Sequence, residues 1–203
     1  DEYDHSEVLD EWLEEMGGHV IFSNFGPEHH ATLYPRTHQR ARFILAFTGY
    51  IDHDTARAVA PRIRPLASRP LDIVYRAFKL PYWFGSHGQR KSSIASEILA
   101  RIEGRGLATD ISTRPEDVIV GDSWFDFMAS GRCVIGCESG SSVLDRRGEI
   151  QALIRHMVTQ NPDLTFEEAS RALPAGWDDH RFFAISPRHF EAVLTKTAQI
   201  LIE

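Results

Sequence analysis

Apolar residues recur along this chain in two rhythms, one of the helix and one of the strand. Val8, Leu9, Trp12, Leu13 and Met16 fall at helical spacing and stop at Gly17-Gly18, which predicts a helix over Ser6 to Met16 with a glycine end. The apolar runs at 19–23 and 41–47 predict buried strands, and Asn24 to Pro35, rich in His, Pro and Asn, reads as a loop or short helix. Asp54 to Val59 fits a short helix. Pro61, Pro65 and Pro70 then break the chain into an irregular connector, so a domain boundary is expected in this region, drawn between 1–50 and 51–203.

Beyond the connector the alternation is cleaner. Strands are predicted at Leu71 to Tyr75, Leu107 to Ile111 and Arg132 to Cys137, and helices at Gln89 to Glu103, Trp124 to Ala129 and Glu149 to Val158. The run from Arg132 to Cys137 is continuously apolar, as in a strand buried on both faces. Thr165 with Glu168 spells a capping box for a further helix. Strands alternating with helices predict an α/β fold with a mostly parallel sheet.

The last segment, Ile185 to Glu203, reads as one helix. Ser186 suits the N-cap and Pro187 the first helical position, while Ile185 and Phe190 stand at staple spacing. Phe190, Val193, Leu194, Thr197, Ala198 and Leu201 follow a 3.6-residue period, which leaves Arg188, Glu191 and Thr195 together on the polar side. Arg188 and His189 occupy the first turn, where the positive end of the helix dipole opposes them unless an anion lies nearby. The segment fits either an anion site or a capped core helix with a solvated first turn.

Composition narrows the functional classes. With 203 residues, 42% of them hydrophobic, the chain can bury one substantial core or two small ones. Its apolar runs fall short of the roughly 20 residues a membrane span needs, and its acidic start is unlike a signal peptide, which predicts a soluble cytoplasmic protein. Lys and Arg total 22 against 29 Asp and Glu, so a broad nucleic-acid surface is disfavoured and a bound anion must sit in a local pocket. Cys133 and Cys137 lie roughly 13 Å apart on an extended strand, beyond disulfide reach, and read as buried thiols. Of the ten histidines only His29 and His30 are adjacent, so neither a metal nor a cofactor is expected.

Candidate chemistry gathers at strand ends and helix starts. Arg76 ends the strand Asp72 to Arg76, and Lys91 lies in what reads as the first turn of the next helix, so the two could converge beyond the carboxyl edge of a parallel sheet. Gly85 and Gly88 would let backbone approach a diphosphate closely, whereas Arg90 and Lys91 could equally extend into solvent. Gly85 to Ser92 matches a phosphate-loop pattern save for Arg90 in place of the second glycine, and Pro81 interrupts the strand that should lead into it. A phosphate-loop nucleotide hydrolase is therefore an alternative reading. Gly140, Ser141 and Ser142 offer backbone and hydroxyl donors just past the buried strand, as a ligand loop or as a plain turn.

Taken in order, these motifs resemble the donor-binding half of the GT-B glycosyltransferases, especially the spore-maturation-type and capsule-type group. The resemblance rests on Arg76 and Lys91, on Ser186, Arg188, Phe190, Glu191 and Ala192 in a Ser-x-Arg-x-Phe-Glu-Ala helix, and on Asp1-Glu-Tyr-Asp4 and Phe47-Thr-Gly-Tyr50. It implies Rossmann-like domains, with 1–50 closing an acceptor-side domain and 51–203 forming the donor-binding domain. By the same resemblance Arg76 and Lys91 would hold the diphosphate, Glu191 the ribose, and Gly140 to Ser142 the donor pocket. The implied reaction is sugar transfer from a nucleotide-sugar donor, with retention and without metal, to an acceptor that the motifs leave unnamed. Phe183 stands eight residues before Glu191, so the first acid of the family's E-x7-E pair is absent, which keeps a non-catalytic nucleotide-binding or interaction module open. The resemblance also implies a piece of a longer enzyme, starting inside the first domain and stopping before the family's C-terminal return.

Overall fold

A computed structural model describes residues 2–18 and 20–202; Asp1, His19 and Glu203, on which the first motif, the first strand and the last helix were expected to draw, lie outside the described residues. The chain forms two compact units that interleave along the sequence. Unit 1 comprises Asp1–Phe47, Pro81–Gln89 and Gly140–Ala184, and unit 2 comprises Thr48–Leu80, Arg90–Ser139 and Ile185–Glu203. The chain first crosses from unit 1 to unit 2 at 47/48. The two later returns to unit 1 have no counterpart in a simple division into 1–50 and 51–203.

Unit 2 is the α/β unit, with a four-stranded parallel sheet of Rossmann-like form. Its strands are β3 (Leu71–Arg76), β4 (Thr109–Ser112), β5 (Gly131–Gly136) and β8 (Ala198–Leu201), in spatial order β4-β3-β5-β8 and parallel at every pairing. Strand periodicity sorts the side chains into two faces. Ile73, Tyr75, Ile135 and Cys137 pack with Ile94 and Ala95 of helix α4 (Gly85–Ile102), while Val74 and Val134 pack with Phe127 and Met128 of α5 (Asp122–Ser130) and Ala192 of α8 (Pro187–Leu194). Each such aliphatic side chain is worth about 1.5–3 kcal/mol when fully buried. The outcome is a sheet with helices on both faces and its carboxyl edge left open.

The single helix expected over Ile185 to Glu203 is a correction. It stops at Leu194, and Ala198–Leu201 pairs with Cys133–Gly136 of β5. The apparent 3.6 period failed here because Lys196 turns left-handed, with φ of 52°, and the chain is seized on either side of it. Arg69, 1% exposed, donates to the carbonyls of Thr195 and Lys196, to Thr197 Oγ1 and to the Gly131 carbonyl at 2.7–3.2 Å. A tertiary contact more than a hundred residues away in sequence thus ends the helix. Arg69 itself closes the Pro-rich connector, which folds as two 3-10 turns at Ala60–Arg62 and Leu66–Ser68 after α3 (His53–Val59).

Unit 1 is built around Ile21, Phe25, Leu33, Tyr34, Leu144 and Phe182. Strands β1 (Val20–Ser23) and β2 (Arg42–Leu45) pair in parallel, with α1 (Ser6–Met16) and α2 (Pro27–Leu33) as their helices. Helix α1 ends at the expected Gly17, left-handed at φ 64°. Only part of its apolar stripe turns inward: Leu9 and Leu13 pack on the core, whereas Val8, Trp12 and Met16 are exposed. Carboxylates pin the connections. Asp10, fully buried, accepts from the amides of Arg36 and Thr37 and from the Thr37 hydroxyl, and Glu2 accepts from Ser23 Oγ, Asn24 N and Tyr34 Oη. Two short strands absent from the sequence reading, β6 (Ser139–Ser141) and β7 (Phe182–Ala184), pair with one another. Helices α6 (Glu149–Gln160) and α7 (Phe166–Arg171) complete the unit, the latter with the expected Thr165–Glu168 capping box. Among the described residues of the chain no helix is long and apolar enough to cross a membrane.

Candidate functional site

The open carboxyl edge of the unit 2 sheet holds a cleft of about 580 Å³, where parallel sheets present ligands to strand ends and helix starts. Four residues singled out in the sequence line it together: Arg76 at the end of β3, Lys91 in α4, and Arg188 and Glu191 in α8. The remaining wall comes from the segment after β3, with Phe78 and Leu80, and from the segment after β4, with Asp117 to Asp122, Trp124 and Phe125. The mouth is thus mixed apolar and charged.

The cations of this cleft differ sharply in how far they are already satisfied. Arg76 Nη2 lies 2.7 Å from Asp110 Oδ1, and its other nitrogens donate to the carbonyls of Tyr75, Asp110 and Asp117 at 3.0–3.1 Å. Its guanidinium also stacks 4.5 Å from the Phe127 ring centroid. Arg114 pairs with Asp117 at 2.7 Å, and Asp122 pairs with Arg62 at 2.6 Å. The Ser112 hydroxyl and then Arg114 hold the Asp117 carboxyl below the usual carboxylate range.

Lys91 and Arg188 are different, since among the described residues neither has a carboxylate partner. Lys91 Nζ donates to Ser139 Oγ at 3.1 Å. Burial pushes its pKa below the ordinary lysine value, with the neighbouring Cys137 opposing that shift and Arg188 adding to it. Arg188 donates to the Arg76 carbonyl and lies 4.9 Å from the Tyr75 ring and 5.6 Å from the Trp124 ring, while its Nε is buried without a hydrogen-bond partner among the described residues. Burial raises the Tyr75 phenol to about 12, so it stays neutral beneath the guanidinium. Glu191 Oε2 accepts from the Trp124 indole N–H at 2.8 Å. No family model, curated protein or solved structure matches this chain.

The remaining candidates take other places. His189, beside Arg188 in sequence, is tied to β8 by a 2.6 Å contact between Nδ1 and Gln199 Oε1. Ser186 occupies the N-cap position of α8 but makes no capping bond with its side chain. Gly140, Ser141 and Ser142 fall in unit 1, with their polar atoms engaged there. At Gly140, φ is 115° and a Cβ would come within 1.9 Å of the Phe182 carbonyl oxygen, so only glycine allows this close approach. Ser141 Oγ accepts from Val143 N at 2.9 Å, and Ser142 Oγ bonds Asp178 and accepts from His87 N at 3.1 Å.

The glycine-rich segment also reads differently in three dimensions. Helix α4 begins at Gly85 rather than near Gln89, so Lys91 stands in its second turn and residues 85–92 form helix rather than an open loop. Its first turn, in unit 1, is closed by Asp178, which accepts from Ser86 N at 2.9 and 3.1 Å. A Cβ at Gly85, where φ is 70°, would stand 2.0 Å from Asp178 Oδ1. The dipole end that a phosphate would occupy in the hydrolase reading thus carries a carboxylate of the chain itself.

Trp124 is the cleft residue that sequence reasoning placed only on a helix. The available signal was an indole in the first turn of the helix that follows Gly121, since a partly buried Trp packs by its ring but still needs an acceptor for its N–H. The arrangement as a whole suits one kind of ligand. Two uncompensated cations call for an anion, the carboxylate accepts hydroxyls, and the apolar walls suit a flat or aliphatic body.

Proposed function

We propose that the unit 2 cleft binds a nucleotide sugar and that the protein is a GT-B-type glycosyltransferase, retaining and metal-independent, acting on an acceptor still to be found. One observation carries this reading. Lys91 and Arg188, cations without carboxylate partners among the described residues, line one cleft with Glu191 at the carboxyl edge of a parallel sheet, and all three belong to motifs that resemble this family. A departing nucleoside diphosphate accumulates negative charge as the sugar acquires oxocarbenium character, and fixed cations in a partly desolvated site stabilise that charge. Glu191 would accept the ribose hydroxyls. Arg76 would act from behind, because its donors hold the Asp110 and Asp117 backbone that shapes the wall.

Calorimetric titration with uridine, guanosine and adenosine diphosphates tests the binding step, and release of nucleoside diphosphate from a panel of nucleotide sugars tests transfer. Absence of binding to all three diphosphates would refute the reading. A second reading, nucleotide binding without transfer, is favoured by Phe183, which stands where the family's first acid would be and stacks on His87 at 4.0 Å within unit 1. Diphosphate binding with no release from any nucleotide sugar would decide for it.

A further inference from the structure

Glu191 does not face the cleft alone, because its carboxylate is already held from one side. The Trp124 indole N–H is a donor with no acceptor capacity, and it points at Glu191 Oε2 from 2.8 Å. Its ring is fixed in turn by the Phe127 ring, 5.6 Å away and tilted by 30°, and by the Arg188 guanidinium 5.6 Å from its centroid. Both Trp124 and Glu191 line the cleft.

We infer that Trp124 is a positioning residue that holds one end of the side chain at position 191, so that the second oxygen of Glu191 faces the hydroxyls of a bound nucleotide. This rests on the reading of the cleft as a nucleotide site. A carboxylate has two equivalent oxygens, so giving one to the indole leaves the other as an acceptor for the ligand. A carboxamide is not symmetric. With the indole N–H in place, a glutamine must turn its oxygen to Trp124 and therefore its NH2 to the ligand, where it meets hydroxyls with the wrong polarity. The indole thereby makes this position discriminate between Glu and Gln.

The inference predicts a sign that a packing role does not. Glu191→Gln should weaken nucleoside diphosphate binding by about 10- to 100-fold, the worth of a lost hydrogen bond to a charged group. Trp124→Phe keeps a ring but removes the donor and should cost about threefold or less, within the range of one neutral hydrogen bond. In the double variant the amide is free to turn its oxygen to the ligand, so W124F/E191Q should bind more tightly than E191Q alone. Inorganic pyrophosphate, which lacks the hydroxyls, should bind all four proteins alike.

A double variant weaker than E191Q, or pyrophosphate affinity that follows nucleoside diphosphate affinity across the series, overturns the inference while leaving the cleft an anion site. Wild-type protein that binds none of the uridine, guanosine and adenosine diphosphates overturns both the functional reading and this inference. If W124F does not fold, hydrogen exchange at the Trp124 indole decides the matter. E191Q should keep that N–H protected and Glu191→Leu should expose it, whereas equal exchange in both would mean that residue 191 does not hold the indole.

Discussion

The two units secure their interiors with opposite chemistry. In unit 1 the anchors are carboxylates: Glu2, Asp10 and Asp178 collect amides and hydroxyls from loops and from the start of a helix. In unit 2, where Asp52 and Asp72 also accept amides, the carbonyls are held by guanidinium groups: Arg69, Arg76 and Arg188 donate to carbonyls at a helix end and at strand ends. The division follows from what each place exposes, since helix starts leave N–H groups unmatched and helix ends leave C=O groups unmatched. It has a functional side effect. A unit closed by its own acids has no call for an outside anion, whereas a unit closed by bases keeps positive charge at the rim of its cleft, at Lys91 and Arg188.

The contrast can be broken first at its strongest member. Arg69→Met would leave the carbonyls of Gly131, Thr195 and Lys196 without their donor inside the protein, and we expect a loss of about 3 kcal/mol or more in unfolding free energy by urea titration. A loss below about 1 kcal/mol would mean that water or neighbours replace it without difficulty. Asp10→Ala is the counterpart in unit 1, removing the acceptor for two amides and one hydroxyl, with an expected loss of about 2 kcal/mol in the same assay.

Lys91→Met separates anchoring from ligand binding. It should lower nucleoside diphosphate affinity by about 10- to 100-fold, the scale of a charge-assisted hydrogen bond, without destabilising the ligand-free protein. Both properties then depend on pH through one group. Burial sets the Lys91 pKa below 10.5, so the folded state gives up this proton before the unfolded state does. In the window from that lowered value up to 10.5 the unfolded chain binds more protons, so ligand-free stability rises with pH while anion affinity falls. The affinity gap between wild type and Lys91→Met should therefore narrow on alkaline titration, and a constant gap would assign the anion contact to another residue.

The smallest effect is expected where charges have no interior to secure. Asp54 and Arg57 form an ion pair on α3 with side chains 89% and 78% exposed, and replacing both by Ala should change stability by less than about 0.5 kcal/mol.

The elements that were legible in the sequence are those whose partners are close by or whose burial is one-sided. The helices at Ser6–Met16 and Glu149–Gln160 and the strands at Leu71–Arg76 and Gly131–Gly136 all lie within a few residues of where periodicity puts them. The strand Ala198–Leu201 was hidden because its two determinants, Arg69 and β5, are remote in sequence, and a short apolar run fits either period. The start of α4 was hidden because the Gly85-to-Gly88 stretch looks like a loop until Asp178 supplies its cap. Lys91, Arg188 and Glu191, singled out by type, spacing and the family resemblance, line one cleft. The satisfied state of Arg76 was not legible, because Asp110 and Asp117 come from another strand and loop. Trp124 escaped for the same reason, since only the folded chain brings its indole to Glu191.

The interleaved path of the chain bears on how it must be made. Ile21 and Phe25 are translated well before Phe182, yet the aromatic cluster they belong to closes only when Phe182 arrives, with its ring 5.7 Å from that of Phe25. At about 5–20 residues per second, the interval is on the order of ten to thirty seconds. Unit 2 waits as well, because β8 is translated after the other three strands of its sheet. Neither unit can be completed before most of the other has been made. During that interval the nascent chain holds apolar segments whose folded partners have not yet been made, and a transcript truncated before Phe182 should yield a product that binds chaperones or aggregates rather than a smaller folded protein.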